Sequence, residues 1–365
     1  MIYHLINSID AATLDQSWFS FLRVFRFVEF RAVLAIILSF LIVIALGGRT
    51  IRWLVRLKVG DNPEFHHKDL NQLMKGKTNT LTMGGVLIAG AIFSTSLLLA
   101  DLSSFYITMA MVCLVWLSVV GGVDDYLKLT TAQRKPGSRE GLRSGEKLLA
   151  QLALAVVLGI FIHHYGSTKL EGYAHLNEMS HSLTLPFSKT WVFDAVTRDW
   201  VPSENLIRLG TFSFVLLTIC VIAGSSNAVN LTDGMDGLAG GVAAIVAFAL
   251  MILAFVAGFN DGQGTILAQK LLVPHIPKSD ELAIVAGAMV GACVGFLWFH
   301  CIPAQVFMGD TGSLPLGGLI GYIAVVVRQE LLLVIIGGIF VAEAMSVILQ
   351  VGYFKLTKGK RIFRC

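Results

Sequence analysis

Charge is what this 365-residue chain has least of: 14% of its residues are Asp, Glu, Lys or Arg, against about 25% in soluble domains. Hydrophobic residues make up 55%, and the mean hydropathy is +0.73. This excludes an ordinary soluble domain and makes the chain a polytopic membrane protein, so length does not count domains. The five cysteines (Cys113, Cys220, Cys293, Cys301, Cys365) form no C-x-x-C pair. Four of them lie in or beside apolar runs, which argues against a zinc site or a disulfide framework. The first basic residue is Arg23, so the charged leader region of a cleaved signal peptide is missing. No basic stripe points to nucleic acid, and a net charge of +4 is ordinary for a membrane protein with basic loops.

What the chain does have is apolar runs. Nine are long enough to cross a bilayer or nearly so: about 32–46, 83–100, 105–123, 148–165, 209–223, 238–259, 282–299, 314–327 and 331–351. Several fall short of the roughly 20 residues of a straight crossing, so their ends are soft. Residues 18–30 mix aromatics with Arg23, Arg26 and Glu29, and read as an interfacial lead-in. The predicted fold is an all-α membrane helix bundle, one integral domain over residues 1–365.

Lys and Arg set its orientation. The connection after the first run holds seven, that after the third holds six, and the segment after the ninth holds five. That side totals 18 and the opposite side 10, which predicts a cytoplasmic location for the first set and an N-terminus facing out. Residues 166–208 then form an extracytoplasmic loop. The count used no acidic residue, yet it places Asp124, Asp125, Asp233, Asp236 and Asp310 together on the cytoplasmic face. One shared site, built from loops 124–147, 224–237 and 300–313, is the economical expectation.

Asp124 and Asp125 open D-D-Y-L-K (124–128) directly after an apolar run. A carboxylate in hydrocarbon costs roughly 2.5–3.5 kcal/mol on insertion scales, and two adjacent ones repel. A divalent cation or a shared proton relieves the repulsion, and Lys128, one turn on, can bind phosphate. Alone, the motif fits a charged helix end that stops the run from sliding equally well. In S-S-N-A-V-N-L-T-D-G-M-D-G (225–237), Asn227, Asn230 and Asp233 recur every third residue, roughly on one helical face. Two amides and two carboxylates without a basic partner suit a sugar or a base better than a plain turn. Gly234 and Gly237 would let backbone approach a ligand. In P-A-Q-V-F-M-G-D-T-G-S-L (303–314), Asp310 lies between glycines with Thr311 and Ser313 as hydroxyl donors, an arrangement for a metal–diphosphate pair that is also a plausible tight turn. Phe307 could stack on a base. Lys77, before T-N-T-L-T-M-G-G, offers an ammonium near the surface, although a solvated basic loop is the commoner meaning. Glu343, inside the ninth run, reads as a buried hydrogen-bonding residue at a bend.

With these residues laid out, the chain resembles the phospho-N-acetylmuramoyl-pentapeptide transferases, which make the first lipid-linked peptidoglycan precursor and belong to the polyprenyl-phosphate N-acetylhexosamine-1-phosphate transferases. The resemblance runs from about Arg31 onward and rests on T-M-G-G (82–85), D-D-Y-L-K, N-A-V-N-L-T-D-G-M-D-G-L-A, the G-F-L-W-F to G-D-T-G-S-L stretch, and R-Q-E-L-L-L-V-I-I-G-G-I-F-V-A-E. It implies a ten-span fold in the bacterial cytoplasmic membrane and attack of undecaprenyl phosphate on UDP-N-acetylmuramoyl-pentapeptide, with Mg²⁺ as cofactor. It also implies catalytic roles for Asp124, Asp125 and Asp310, with Asp310 the metal ligand. Asn230, Asp233, Asp236 and Phe307 are implied around the nucleotide, and Lys77 and Lys128 near the diphosphate; Asn227 is a substrate-binding candidate from its motif alone. Membrane lipid is a partner, nucleic acid is not, and a homodimer is left open. The chain departs from the family at Leu81, where proline is usual, and at His300, where asparagine is usual. Segments 68–77 and 166–208 are longer than usual. The family continues past R-I-F-R-C into a histidine-rich motif and a tenth span, so truncation relative to the family is expected. Two other readings stay open: an N-acetylglucosamine-1-phosphate transferase of the same superfamily, and an ion-coupled transporter, which usually shows internal repeats.

Overall fold

The computed structural model describes residues 1–8, 20–56, 60–61, 80–134, 141–168, 177–194, 199–260, 266–301 and 304–357. Seven helices among them are long and apolar enough to cross a membrane. They are α1 (Val28–Arg56), α3 (Phe105–Arg134), α4 (Ser144–Thr168), α5 (Thr211–Thr232), α6 (Leu238–Gly258), α7 (Leu282–His300) and α9 (Gly338–Leu356). Two apolar helices are shorter: α2 (Gly85–Leu99, 15 residues) and α8 (Asp310–Val326, 17 residues). At 1.5 Å per residue they span only about 22–26 Å, less than a hydrocarbon core of about 30 Å. The chain is a polytopic helical membrane protein.

The short helices are central. Every residue of α8 is buried, and it packs against α3, α5 and α2. Hydrocarbon offers no hydrophobic drive between helices, so close packing has to supply the attraction, and small residues permit it. Gly317 and Gly321 of α8 lie against Ser225 on α5, where an added Cβ would overlap the Ser225 carbonyl and hydroxyl oxygens. On α7, Gly287, Gly291 and Gly295 recur at i, i+4 and i+8 against the Ala32, Ile36 and Phe40 carbonyls of α1. The bundle thus has two leaves, α1–α6–α7 and α3–α4–α5–α8, with α2 touching both.

The two ends of the bundle differ chemically. At one, Arg31 of α1 makes a buried two-pronged ion pair with Glu281 at the start of α7 (2.9 and 2.5 Å). Its guanidinium also donates to the Leu99 carbonyl (3.0 Å) and lies 4.1 Å from the Tyr3 ring centre. Within 166–208, strands Ser182–Leu183 and Ile207–Arg208 pair antiparallel, as do Trp191–Asp194 and Asp199–Pro202. Buried Trp191 anchors them, its indole N–H donating to the Val273 carbonyl (2.8 Å). The lead-in at 20–26 is a 3-10 helix with no buried residue. The ninth apolar run is broken at Gly337, between the short helix Glu330–Ile336 and α9. Glu343 is exposed on α9, not buried at that break, which corrects the sequence reading. The aspartates gather at the other end.

Candidate active site

The site is built around the start of α8. Gly309 has φ 70° and ψ 179°, a conformation essentially reserved for glycine, and it lets the chain turn sharply into the helix. The first backbone N–H groups of a helix have no internal partner, and Gly309 has no side chain to supply one. Asp125, in the C-terminal third of α3, fills that role. Its carboxylate accepts from the Thr311 N–H (2.9 Å), the Thr311 hydroxyl (2.7 Å) and the Asp310 N–H (3.3 Å). Asp233, just past α5, accepts from the Gly309 N–H (3.0 Å). On the other side the Gly84 and Gly85 N–H groups donate to the Phe307 and Met308 carbonyls (2.9 and 2.8 Å). A Cβ on Gly84 would lie 2.8 Å from the Phe307 oxygen, and one on Gly85 would overlap Gly312. The T-M-G-G motif is therefore the seat of the Asp310 turn.

Charge converges on Asp310. Its Oδ2 accepts from Lys128 Nζ (2.9 Å) and from Lys147 Nζ, and its Oδ1 accepts from Asn230 Nδ2 (2.5 Å). Asn230 also donates to Ser313 Oγ (2.8 Å). Asp124 pairs with Lys128 Nζ at 2.6 Å and Lys147 Nζ at 3.6 Å, and accepts from the Leu142 N–H (2.7 Å). Asp124, Asp125 and Asp310 are all buried and present oxygens within 4.8 Å of one another. Buried anions crowded like this need cations, and the chain brings two ammonium groups to Asp124 and Asp310. An all-carboxylate donor set is what hard divalent cations take, so the residues fit a metal ion.

Beside this cluster, buried His300 donates from Nδ1 to the Val306 carbonyl (2.9 Å), and its Nε2 lies 3.7 Å from Asp233 Oδ1. Its ring meets Phe307 edge to face, centres 5.8 Å apart. Burial, then the neighbouring Asp310 and Asp125 carboxylates, push the Asp233 carboxyl well above its usual range, against the pull of the Gly309 N–H. Asp236 is half-buried in the turn into α6. Gly237 there has φ 78°, so the turn itself requires that glycine.

Asn227 does not join Asn230 and Asp233. A spacing of three falls about 60° short of a full turn each time, so six residues swing about 120°. Asn227 accordingly faces α4 and donates to Gln151 Oε1 (2.6 Å). Lys77 lies outside the described residues. Sequence reasoning also missed two residues. Lys147 was counted only toward orientation, and Gln151 was passed over inside an apolar run. A polar side chain one turn after a lysine, at the head of L-A-L-A-V-V-L, was the available signal.

Residues 107–328 match the family described as Glycosyl transferase family 4. Over its whole length the chain is 39% identical to the phospho-N-acetylmuramoyl-pentapeptide-transferases of Thermodesulfovibrio yellowstonii and Desulfotalea psychrophila, covering 89% of each. It is 40% identical to the one from Desulfosudis oleivorans, again over 89% of that protein. A glycine turn held by Asp125, and an Asp310 carboxylate held between two lysines and an asparagine, thus lie inside the matched region of a chain that belongs to the phospho-N-acetylmuramoyl-pentapeptide transferase family.

Proposed function

We propose that this chain transfers phospho-N-acetylmuramoyl-pentapeptide from its UDP-linked precursor to undecaprenyl phosphate, releasing UMP. The observation that carries this reading is the Asp124–Asp310 pair facing Lys128 and Lys147, inside the span over which the relatives align. Phosphoryl transfer asks a protein mainly to position its reactants and neutralise charge, and this cluster is equipped for both. A phosphate oxygen of the lipid forms a bond to the β-phosphorus. The bond from that phosphorus to the bridging oxygen breaks, and the oxygen leaves with UMP. Asp124 takes the proton of the lipid phosphate monoester. Lys128 and Lys147 neutralise the diphosphate, while Asn230 orients Asp310. Asp125 holds the turn and does not react. Asp233, Asp236 and Phe307 are assigned to the nucleotide and Lys77, which lies outside the described residues, to the diphosphate, as the family resemblance implies.

Mg²⁺ is the expected cation, with Asp310 as its holder; when bound it would supply further charge neutralisation on the phosphates. The protein sits in the bacterial cytoplasmic membrane with nine crossings and its N-terminus outside. The loops at 124–147, 224–237 and 300–313 face the cytoplasm. The basic-residue count supports this orientation, and the gathering of every described aspartate of the motifs at one end agrees with it.

The test is a reconstituted assay with radiolabelled UDP-N-acetylmuramoyl-pentapeptide and undecaprenyl phosphate. Labelled lipid and UMP should form together, and UDP-N-acetylglucosamine should not replace the donor. Without the lipid acceptor no UMP should appear. Stoichiometric UMP with label retained on the protein would replace direct attack by a covalent aspartyl step.

A further inference from the structure

Gln151 is fully buried in α4, one turn further into the bundle than Lys147. Its Oε1 accepts from Asn227 Nδ2 (2.6 Å) and its Nε2 donates to Ser226 Oγ (3.3 Å). Ser226 Oγ in turn donates to the Leu314 carbonyl of α8 (3.0 Å). One amide thereby ties three helices together where water cannot substitute for a lost partner. Sliding α4 by one residue along α5 would shift Gln151 by about 1.5 Å and rotate it by about 100°, breaking both bonds. The register is therefore strongly selected.

That register matters for the aspartate cluster. The two helices run antiparallel, so four residues back along α4 and three forward along α5 lead to the same end of the bundle. The first step reaches Lys147 and the second Asn230, and both donate to the one carboxylate of Asp310. We propose that Gln151 is a positioning residue for the transfer reaction: its amide sets α4 against α5 and α8 so that the Lys147 ammonium stays on Asp310. The inference rests on the transferase reading for its kinetic consequences, and on the geometry alone for the placement of Lys147.

A double-mutant cycle tests it, using the full chain in lipid nanodiscs. Gln151→Leu keeps the size and suits an apolar interior. It should lower kcat about tenfold, equivalent to about 1.4 kcal/mol, while KM for the nucleotide substrate stays within about twofold. In the Lys147→Ala background the same change should add little, because residues acting through one another are not additive. Gln151→Glu, protonated in this setting, presents the same acceptor and donor and should restore most of the loss. A second reading does not need turnover: peptide-resolved acylation should rise at Lys147 in Gln151→Leu and stay unchanged at Lys128. Full activity in Gln151→Leu, equal losses in both backgrounds, or unchanged Lys147 acylation would each overturn the proposal. A wild-type protein that makes no lipid product while Lys147 still responds to Gln151→Leu would instead sink the transferase reading.

Discussion

Asp125 and Thr311 are 186 residues apart in the chain, yet the carboxylate of one takes both the backbone N–H and the hydroxyl of the other (2.9 and 2.7 Å). The two aspartates of D-D-Y-L-K therefore do different work. Asp124 faces the lysines, and Asp125 caps the helix that starts with Asp310.

The first prediction separates them by stability. Asp125→Ala removes a cap and leaves buried donors unpaired, so it should lower the melting temperature by more than Asp124→Ala does. Loss of a cap is worth about 0.5–2 kcal/mol. Thermal unfolding in detergent measures both variants, and the reverse order would refute the division of roles.

The second concerns Asp310. Asp310→Asn keeps the shape of the side chain but loses the charge that meets Lys128 and Lys147. Turnover should fall by orders of magnitude, since charge neutralisation at such a site is worth several kcal/mol. Expression and membrane insertion should stay normal. An active Asp310→Asn enzyme would move the essential carboxylate elsewhere, first to Asp124.

Topology is the third. A reporter fused after Gly137 or Arg364 should register cytoplasm, and one after Gly172 the outside, following the 18-to-10 split of basic residues. A reporter at Gly137 found outside would end the case for a cytoplasmic site.

The fourth is a pH dependence at the opposite end of the bundle. Burial, then the adjacent Glu281, raise the Asp280 carboxyl to about 6. The folded protein thus holds this proton more tightly than the unfolded chain does. Stability from this group is full below about pH 4 and is lost as pH rises through about 6. Asp280→Asn should raise the melting temperature at pH 7.5 and leave it nearly unchanged at pH 4. A variant less stable than the parent at pH 7.5 would show that the ionised carboxylate is useful there.

The sequence by itself determined the class of molecule and singled out the aspartates that the structure gathers at one end of the bundle. Scarce charge and long apolar runs settle membrane insertion, because hydrocarbon excludes unpaired polar groups however the helices are arranged. Among the described residues the nine runs overlap seven helices long and apolar enough to cross a membrane and two shorter ones, and the motifs around Asp124, Asn230, Asp233 and Asp310 are visible because carboxylates are rare in such a chain. What only the tertiary structure decided is which oxygen meets which donor. Asp125 became a cap because α8 starts against α3 beside Gly121 and Asp125, and Asn227 turned to Gln151 because a three-residue spacing drifts around a helix. Lys147 reached Asp310 because α4 packs antiparallel to α5. Linear order carries no record of these relations, since each depends on helices brought together from distant parts of the chain by packing between small residues and by a few buried hydrogen bonds.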